Sequence, residues 1–499
     1  MRRYAKNFFL NPLIIELFFF LESLFAILIE HIEIFIVYGG TMQKFIGNKA
    51  FYRTVLTIAI PIMIQNAITN FVGLLDNLMV GQIGTAQMSG VAIVNQLIFV
   101  FNLSIFGIVS AGSIFGTQFY GKKDYQGMRD AFRFKLAGNL LICLLAMGLL
   151  FFCQDFLIRL YLHGTGDSAE LTLALTSAKE FLVILLFSLP FFAISQAYAS
   201  SLREMGKTMV PMFASSIAVV TNTALNFLLI FGLFFFPTLG VQGAAISTLI
   251  ARIVECAITM YWVHRHEEEN PFAIRVYHQF HVPLHLVKQI LRKGSPLMAN
   301  EILWAIGQTM IIQAYSVRGL SVIASLNISS TVSNLFNIVY MALGGAVAVM
   351  VGQLLGAAKF EEAKDSARKL LFFSVMSCLV LGLLMILVAP FFPEIYQTEP
   401  EVKNLASQFI KVAALCMPMY AFNHASYFIL RSGGQTLITF LFDSVFTWVI
   451  VLPLAFVLST HTSLSIVLVY LFCQLAELIK SGIGYRLIRS DLWVKNIVH

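Results

Sequence analysis

Long apolar runs separated by short polar breaks fill the chain from about residue 50 to about residue 490. Runs of about 20 or more predominantly apolar residues are long enough to cross a bilayer as helices. The breaks contain turn-forming residues, as in Gly81–Gly84 and Gly121–Asp124. The pattern predicts twelve transmembrane helices, over 55–80, 89–119, 132–154, 178–202, 209–233, 240–263, 295–317, 321–354, 369–391, 403–430, 437–458 and 463–485.

The composition points to the same class of protein. The chain has 499 residues, of which 58% are hydrophobic and 12% are charged, whereas soluble domains carry about 25% charged residues. Its net charge of +7 is not arranged as a basic stripe with interleaved aromatics, the pattern that indicates nucleic-acid binding. We therefore expect an all-α membrane protein whose surroundings are the lipid bilayer, with no nucleic-acid partner.

The basic residues are distributed unequally between the two sets of loops. Lys and Arg number 24 on the side that precedes the first predicted helix and 4 on the opposite side. Cytoplasmic loops of membrane proteins carry an excess of these residues. We expect a multi-pass protein of the cell membrane with both ends of the twelve-helix body in the cytoplasm.

The body is predicted to be an internal repeat. Placing Pro61 on Pro296 also matches several glycine, glutamine and charged residues at element ends, and a second block places Pro190 on Pro418. Because each half has six helices, an even number, both halves enter the membrane in the same direction. This predicts two parallel six-helix bundles in a V-shaped arrangement, which is one of the established architectures of transporters. The matched pairs are Met63 with Met298, Gly84 with Gly319, Asn102 with Asn337, Gln118 with Gln353, Gly121 with Gly356, and Arg203 with Arg431.

Five regions follow from this organisation. We predict a hydrophobic N-terminal extension over 1–41, an N-terminal six-helix lobe over 42–263 and a cytoplasmic linker over 264–294 with an interfacial amphipathic helix. A C-terminal lobe over 295–490 and a cytoplasmic tail over 491–499 complete the chain.

The extension over 1–41 is apolar but contains four carboxylates, at Glu16, Glu22, Glu30 and Glu33. A thirteenth membrane helix with these charges would be costly. If the gene is bacterial, Met42 is a natural start just before the first body helix. Our hypothesis is that the extension is translated leader sequence and is not part of the native protein.

Asp76 lies in the middle of the first apolar run. A carboxylate at membrane depth costs about 2.5–3.5 kcal/mol on insertion scales and usually faces a cavity or a partner. The residue is therefore a candidate binding site for an ion, a proton or a cationic ligand. The alternative is a helix-packing residue that is hydrogen-bonded to neighbouring side chains.

No enzyme motif accompanies this acid. The sequence has no GxGxxG, HExxH or GxSxG pattern, and Gly206-Lys207-Thr208 lacks the upstream glycine of a phosphate-binding loop. The six cysteines form no CxxC pair. We expect no enzymatic activity, no cofactor and no metal beyond a possible Na⁺, with an ion gradient as the energy source.

The residues from about 50 to 485 resemble the multidrug and toxic compound extrusion (MATE) family of cation-coupled antiporters. The resemblance rests on several motifs that occur in one order within a repeat of six plus six helices. They are Pro61-Ile-Met-Ile-Gln65, Leu75-Asp76-Asn77-Leu-Met-Val-Gly81, Gly116-Thr-Gln118-Phe-Tyr-Gly121, Leu202-Arg203-Glu-Met-Gly206, Asn222-Thr-Ala-Leu-Asn226 and Gly240-Val-Gln-Gly243.

The resemblance implies a cation site in the N-terminal lobe. Carried over to this sequence, the site consists of Asp76, Asn222, Asn226 and Thr248. Many members have Asp where this chain has Asn226, so Asp76 is the only clear carboxylate of the lobe. One carboxylate with amide and hydroxyl oxygens suits Na⁺, and a desolvated Asp can equally cycle protons. Both coupling ions remain open.

The C-terminal lobe has candidates of its own. Glu301 and Asp443 are acids within apolar runs, and His424 lies in the tenth predicted helix. We expect them either to carry protons or attract cationic substrates, or to form a structural polar network. For His424, packing is the alternative to titration near neutral pH.

A cavity with acids, aromatics and methionines suits large lipophilic cations. The substrate-cavity candidates are Gln65, Met63, Phe336 and Tyr340. Proline removes a backbone hydrogen bond, so Pro61, Pro190 and Pro418 are candidates for helix bending, with static kinks as the alternative.

Together these features predict a secondary active efflux transporter. It would export lipophilic, often cationic, drugs or metabolites in exchange for Na⁺ or H⁺ by alternating access, as a monomer. The first alternative is a flippase for lipid-linked saccharide precursors, which would need an arginine-rich cavity. Intramembrane arginine is nearly absent from the predicted spans, and Arg252 is predicted near a helix end. A channel or a membrane-embedded enzyme is the other alternative.

Overall fold

The computed structural model describes residues 44–161, 168–233, 236–278 and 281–498. The extension predicted over 1–41 lies outside the described residues. Within these ranges the chain is almost entirely helical and contains no strand, which confirms the all-α prediction. The main helices are α1 (Lys49–Gly81), α2 (Thr85–Lys122), α3 (Tyr125–Phe152), α4 (Ser168–Leu186 with Leu189–Glu204), α5 (Met209–Phe231), α6 (Gly240–Arg265), α7 (Leu284–Ser316), α8 (Leu320–Gly356), α9 (Phe360–Val388), α10 (Pro400–Ser432), α11 (Thr436–His461) and α12 (Ile466–Arg489).

Most of these helices can cross a membrane. In the part of the chain that the structure describes, ten are long and apolar enough to do so, and the two segments of α4 together make an eleventh span. α7 is not among them and is more polar, with Asn300, Glu301, Gln308 and Gln313 in its second half. We call α1–α6 the N-lobe and α7–α12 the C-lobe.

The bounds of the linker and of the seventh helix differ from the sequence-based expectation. α7 begins at Leu284, so the last eleven residues of the predicted linker over 264–294 belong to this helix. The amphipathic segment there continues without a break into the rest of α7, because no residue of α7 before Pro296 lacks a backbone N–H group. The described part of the remaining connector, residues 266–278 and 281–283, consists of turns, one short 3-10 helix and irregular backbone.

The three prolines occupy different backbone environments. The fourth helix was predicted as one span with Pro190 as a candidate for bending, and the structure bends it by 48°. Pro190 lies in the first turn after this break, where the lack of an N–H group costs no hydrogen bond. Pro61 and Pro418 lie inside the unbroken helices α1 and α10.

The lobes meet where α2 crosses α8. A Cβ atom on Gly121 would lie 1.9 Å from the carbonyl oxygen of Gln353, and one on Gly356 would lie 2.0 Å from that of Gln118. Gly121 and Gly356 are related by the predicted repeat, as are Gln118 and Gln353. The same contact is therefore made twice about a local two-fold axis, as in an isologous interface.

Side chains reinforce this crossing in the same reciprocal manner. The Gln118 amide donates to the carbonyl oxygen of Ser432 at 2.8 Å, and the Gln353 amide donates to that of Glu204 at 2.7 Å. Ser432 is the last residue of α10, and Glu204 is the last residue of α4. Each lobe thus binds the end of a helix in the other.

The C-terminal tail, residues 491–498, covers the crossing. The backbone N–H of Ile497 donates to Gln118 Oε1 at 2.8 Å, and the Asn496 amide donates to the carbonyl oxygen of Gly356 at 3.1 Å. The tail is therefore bound to both lobes at once.

The connector lies on the same face of the bundle as the tail. Arg133 Nε donates to the carbonyl oxygen of Val276 at 3.0 Å, and Lys207 Nζ donates to that of Glu269 at 2.7 Å. We call this side the connector face.

We predict that Gly121→Ala destabilises the protein. The added methyl group meets a backbone carbonyl that cannot rotate away, and overpacking of this kind costs about 1–3 kcal/mol. The melting temperature of the purified protein should fall. Gly148→Ala on α3 is the matched control, since nothing lies within 4 Å of its Cβ position. Equal melting temperatures for the two variants would contradict the close crossing.

Candidate functional site

The structure brings the four predicted N-lobe residues together. The Asn226 amide nitrogen donates to Asp76 Oδ1 at 2.6 Å. The hydrogen-bonding network orients the Asn222 amide with its nitrogen 3.0 Å from Asp76 Oδ1 and its oxygen 3.3 Å from the Thr248 backbone nitrogen. Asp76 is thus held by amide donors from α5, which itself contacts α6.

Helix geometry explains this convergence. Asn222 and Asn226 are four residues apart on α5 and therefore share one face. Asp76 lies five residues before the end of α1, and Thr248 lies within the first three turns of α6. The site is consequently nearer to the face opposite the connector face.

One atom of the site lacks a partner. Asn226 Oδ1 is buried and accepts no hydrogen bond from the described residues. Water cannot replace the missing partner easily, because Asn226 is only 1% exposed. A buried acceptor without a partner costs about 1–3 kcal/mol. This oxygen is therefore an acceptor without a partner among the described residues, on the amide whose nitrogen donates to Asp76.

The structure corrects the prediction that Arg252 lies near a helix end. Arg252 is at the middle of α6, one turn beyond Thr248. Its Nη1 atom is 2.8 Å from Glu255 Oε2, and its guanidinium lies 4.9 Å from the centre of the Phe192 ring. The predicted span over 240–263 already has Arg252 at its middle, so the assignment to a helix end disagreed with the hydropathy pattern as well.

Two further arginines were noted only as markers of the repeat. Arg203 Nη2 donates to Gln65 Oε1 at 2.9 Å, so this cavity candidate is engaged by an N-lobe guanidinium. Arg431 is buried, and its Nη2 atom approaches the carbonyl oxygen of Ser110 in the other lobe at 3.5 Å. Both arginines lie inside the bundle at the ends of α4 and α10.

The C-lobe contains a polar network around Asp443. Lys480 Nζ lies 2.7 Å from Asp443 Oδ1, and the Asn300 amide donates to Asp443 Oδ2 at 3.1 Å. Asp443 is part of a π-helical turn, Leu441–Val445, a local irregularity that is frequent at functional sites.

Lys480 and Glu477 were missed as members of this network. Lys480 was counted among the basic residues of the cytoplasmic side, but it lies within α12 and is 7% exposed. The signal that could have revealed it is a Glu–Lys pair three residues apart inside an apolar helix. Glu301 adjoins Asn300 on α7 but forms no ion pair with any described residue.

The remaining candidates pack mainly against aromatic and apolar side chains. The His424 ring packs 5.2 Å from Tyr340 and 4.9 Å from Phe428, measured between ring centres. Phe336 is half-buried beside the same cluster. Met63 is 3% exposed and belongs to the apolar core between α1 and α8, so its side chain does not line an open cavity.

The repeat relates the backbones of the two lobes but does not reproduce the residues of the Asp76 site in the C-lobe. Under the register that pairs Pro61 with Pro296, the counterpart of Asp76 is Ile311. Ile311 is buried in an apolar cluster with Phe446 and Val451. The C-lobe therefore has no duplicate of the Asp76 site.

Comparison with known proteins agrees with this architecture. A family model described as MatE matches residues 61–228 and 296–457, two segments that begin at the repeat-related Pro61 and Pro296. The chain is 23% identical over 460 residues to the uncharacterized transporter YisQ of Bacillus subtilis, covering 92% of this chain and 98% of the relative. It is 25% identical over 452 residues to the probable multidrug resistance protein NorM of Thermotoga maritima, covering 89% of this chain and 94% of the relative.

Solved structures show the same fold. A crystal structure of the MATE transporter VcmN of Vibrio cholerae superposes with a TM-score of 0.80 at 16% identity, covering 90% of this chain and 98% of that one. A transporter from Pyrococcus furiosus, described as having a binding pocket of reverse polarity, superposes with a TM-score of 0.78 at 17% identity, covering 91% of this chain and 98% of that one. The family model spans most of both lobes, and the chain belongs to the MatE family of multi-span membrane transporters.

Proposed function

We propose that this protein is a secondary active exporter that exchanges lipophilic, often cationic, drugs or metabolites for Na⁺ or H⁺. The observation that carries the proposal is the Asp76 site. It combines a carboxylate inside the bundle, amide donors that fix it and the free oxygen of Asn226. Relatives named as multidrug resistance proteins support the substrate class.

The residues fit either coupling ion. Na⁺ would be held by Asp76, Asn226 Oδ1 and the Thr248 hydroxyl oxygen, which are the hard oxygen ligands that such cations prefer. A proton would bind the Asp76 carboxylate directly, with Asn226 still donating to its other oxygen. In both cases one positive charge neutralises one carboxylate in the bundle.

Transport would proceed by alternating access of a monomer in the cell membrane. The excess of Lys and Arg on the connector face supports its cytoplasmic position. The α2–α8 crossing and the tail close this face, which supports the interpretation of this conformation as a state sealed toward the cytoplasm. Opening it requires Gln118 and Gln353 to leave their carbonyl partners in the opposite lobe.

A second candidate function has one observation in its favour. Arg203, Arg252 and Arg431 lie inside the bundle, more guanidinium groups than expected for a purely cation-binding cavity. A flippase for lipid-linked saccharides would use such groups for phosphate. Arg252 is paired with Glu255, however, which leaves less positive charge than a diphosphate needs.

We predict that Asp76→Asn abolishes gradient-driven efflux of ethidium from proteoliposomes. The amide cannot carry the negative charge that exchanges with the ion, so the loss should exceed about tenfold. Wild type tested under separate Na⁺ and H⁺ gradients identifies the coupling ion. Glu401→Gln, a change at an exposed position, is the control. Unchanged efflux in Asp76→Asn would refute the assigned role, and wild-type efflux of a lipid-linked saccharide only would favour the flippase.

We predict that Asn226→Asp increases the affinity for the cation. It places a second carboxylate at hydrogen-bond distance from Asp76, and two adjacent carboxylates repel each other unless a cation or proton lies between them. The shift in melting temperature on replacing choline chloride with NaCl should be larger than in wild type. Asn226→Leu, which removes both the donor and the free oxygen, should show a smaller shift. A larger shift in melting temperature for Asn226→Leu than for Asn226→Asp would contradict a cation site at Asp76.

We predict that deletion of residues 491–499 favours opening of the connector face. Spin labels at Lys123 and Lys359, the connector-face ends of α2 and α8, should move apart in electron–electron distance measurements. Labels at Gln82 and Val317 on the opposite face should move closer, as rocking of rigid lobes requires. Distances unchanged on both faces would show that the tail does not hold the closed state.

A further inference from the structure

The C-lobe holds a group of charges that the proposed cation site does not use. The ammonium of Lys480 lies between two carboxylates, 2.7 Å from Asp443 Oδ1 and 3.4 Å from Glu477 Oε2. Asp443 is on α11, and the other two residues are on α12. A positive charge is thus fixed at the seam between two helices.

Each carboxylate has a second, neutral partner. The Asn300 amide donates to Asp443 Oδ2 at 3.1 Å, and the Asn423 amide donates to Glu477 Oε2 at 3.1 Å. The ammonium also lies 5.4 Å from the centre of the Phe442 ring, within the range of a cation–π contact. Both carboxylates are therefore bound by the ammonium and by a neutral amide, and the single positive charge of Lys480 lies between them.

We propose that Lys480 is the resident cation of the C-lobe. Its ammonium occupies the place between Asp443 and Glu477 that a mobile cation would otherwise fill, and the covalent chain prevents its release. Lys480 therefore keeps a second cation from binding between these two acids.

Two observations are evidence against a second exchange site at Asp443. The repeat counterpart of Asp76 is the buried Ile311, so the C-lobe lacks the equivalent of the N-lobe site. Asp443 and Glu477 are already bound by Lys480, which leaves Glu301 as the C-lobe carboxylate within the bundle that forms no ion pair with a described residue. In taking Asp76 as the exchange site, this inference rests on the proposed function.

Removal of the ammonium should convert the network into a binding site. Asp443 and Glu477 would then be carboxylates without a counter-charge inside the membrane, which is strongly unfavourable. Carboxylate oxygens are ligands for hard cations, so the two acids should recruit a cation from solution.

The test is equilibrium binding of radioactive Na⁺ to purified protein at alkaline pH, where protons do not compete for carboxylates. Asp76→Asn should bind no Na⁺. The double variant Asp76→Asn with Lys480→Met should regain binding of one Na⁺ per molecule, and the further change Asp443→Asn should abolish it. Lys480→Gln in place of Lys480→Met retains donors to the carboxylates and serves if the methionine variant does not fold.

Two results would overturn the proposal. One is Na⁺ binding by Asp76→Asn with Lys480 intact that is lost on Asp443→Asn, since the C-lobe would then exchange a cation despite its lysine. The other is the absence of binding in the folded double variants. Efflux that survives Asp76→Asn would refute the proposed function alone, because the gain of binding on loss of Lys480 does not depend on transport.

Discussion

A charge inside a bilayer has to be matched by a partner, and this constraint organises the interior of the protein. Lys135 lies 2.5 Å from Glu204, Arg252 lies 2.8 Å from Glu255, and Lys480 is bound by Asp443. Asp76, like Glu301, differs because it forms no ion pair with a described lysine or arginine, and Asp76 is held by neutral amides. The charge that would complete it has to come from solution, which is the requirement for an ion that binds and leaves.

The two halves share a backbone architecture, but their interiors carry different functional residues. The α2–α8 crossing needs glycine at 121 and 356 because backbone carbonyls lie where side chains would be. That requirement acts on both halves equally and preserves the two-fold contact. No such requirement acts on the interior of each lobe, so Asp76 could be retained in one and replaced by Ile311 in the other without disturbing the joint about which the lobes move.

Much of this arrangement could be predicted from the sequence. Apolar runs predicted the helices, and the glycine and glutamine matches predicted the repeat whose members meet at the crossing, because these depend on spacing along the chain. The bend of the fourth helix falls just before Pro190, which the sequence marked as a candidate for bending. The early start of α7 at Leu284 was not predicted, since helix continuity depends on local hydrogen bonding that hydropathy does not report. Lys480 lies within the predicted twelfth span but was counted with the basic loop residues, and only its contact with Asp443 shows that it is inside.

The position of the Asp76 site relative to the crossing bears on how binding can drive motion. Asp76 lies near the end of α1, while residues 60–64 of the same helix, beginning one residue before Pro61, pack in the core against α8. Pro61 lies at the start of the packed segment, and the backbone hydrogen bond that it removes would have joined residue 61 to the preceding turn. The packed segment and Asp76 therefore lie on the same side of the proline, within one continuous stretch of helix. An ion that neutralised Asp76 would act on the same helical stretch that packs against α8, so the charge and the contact between the lobes are carried by one element.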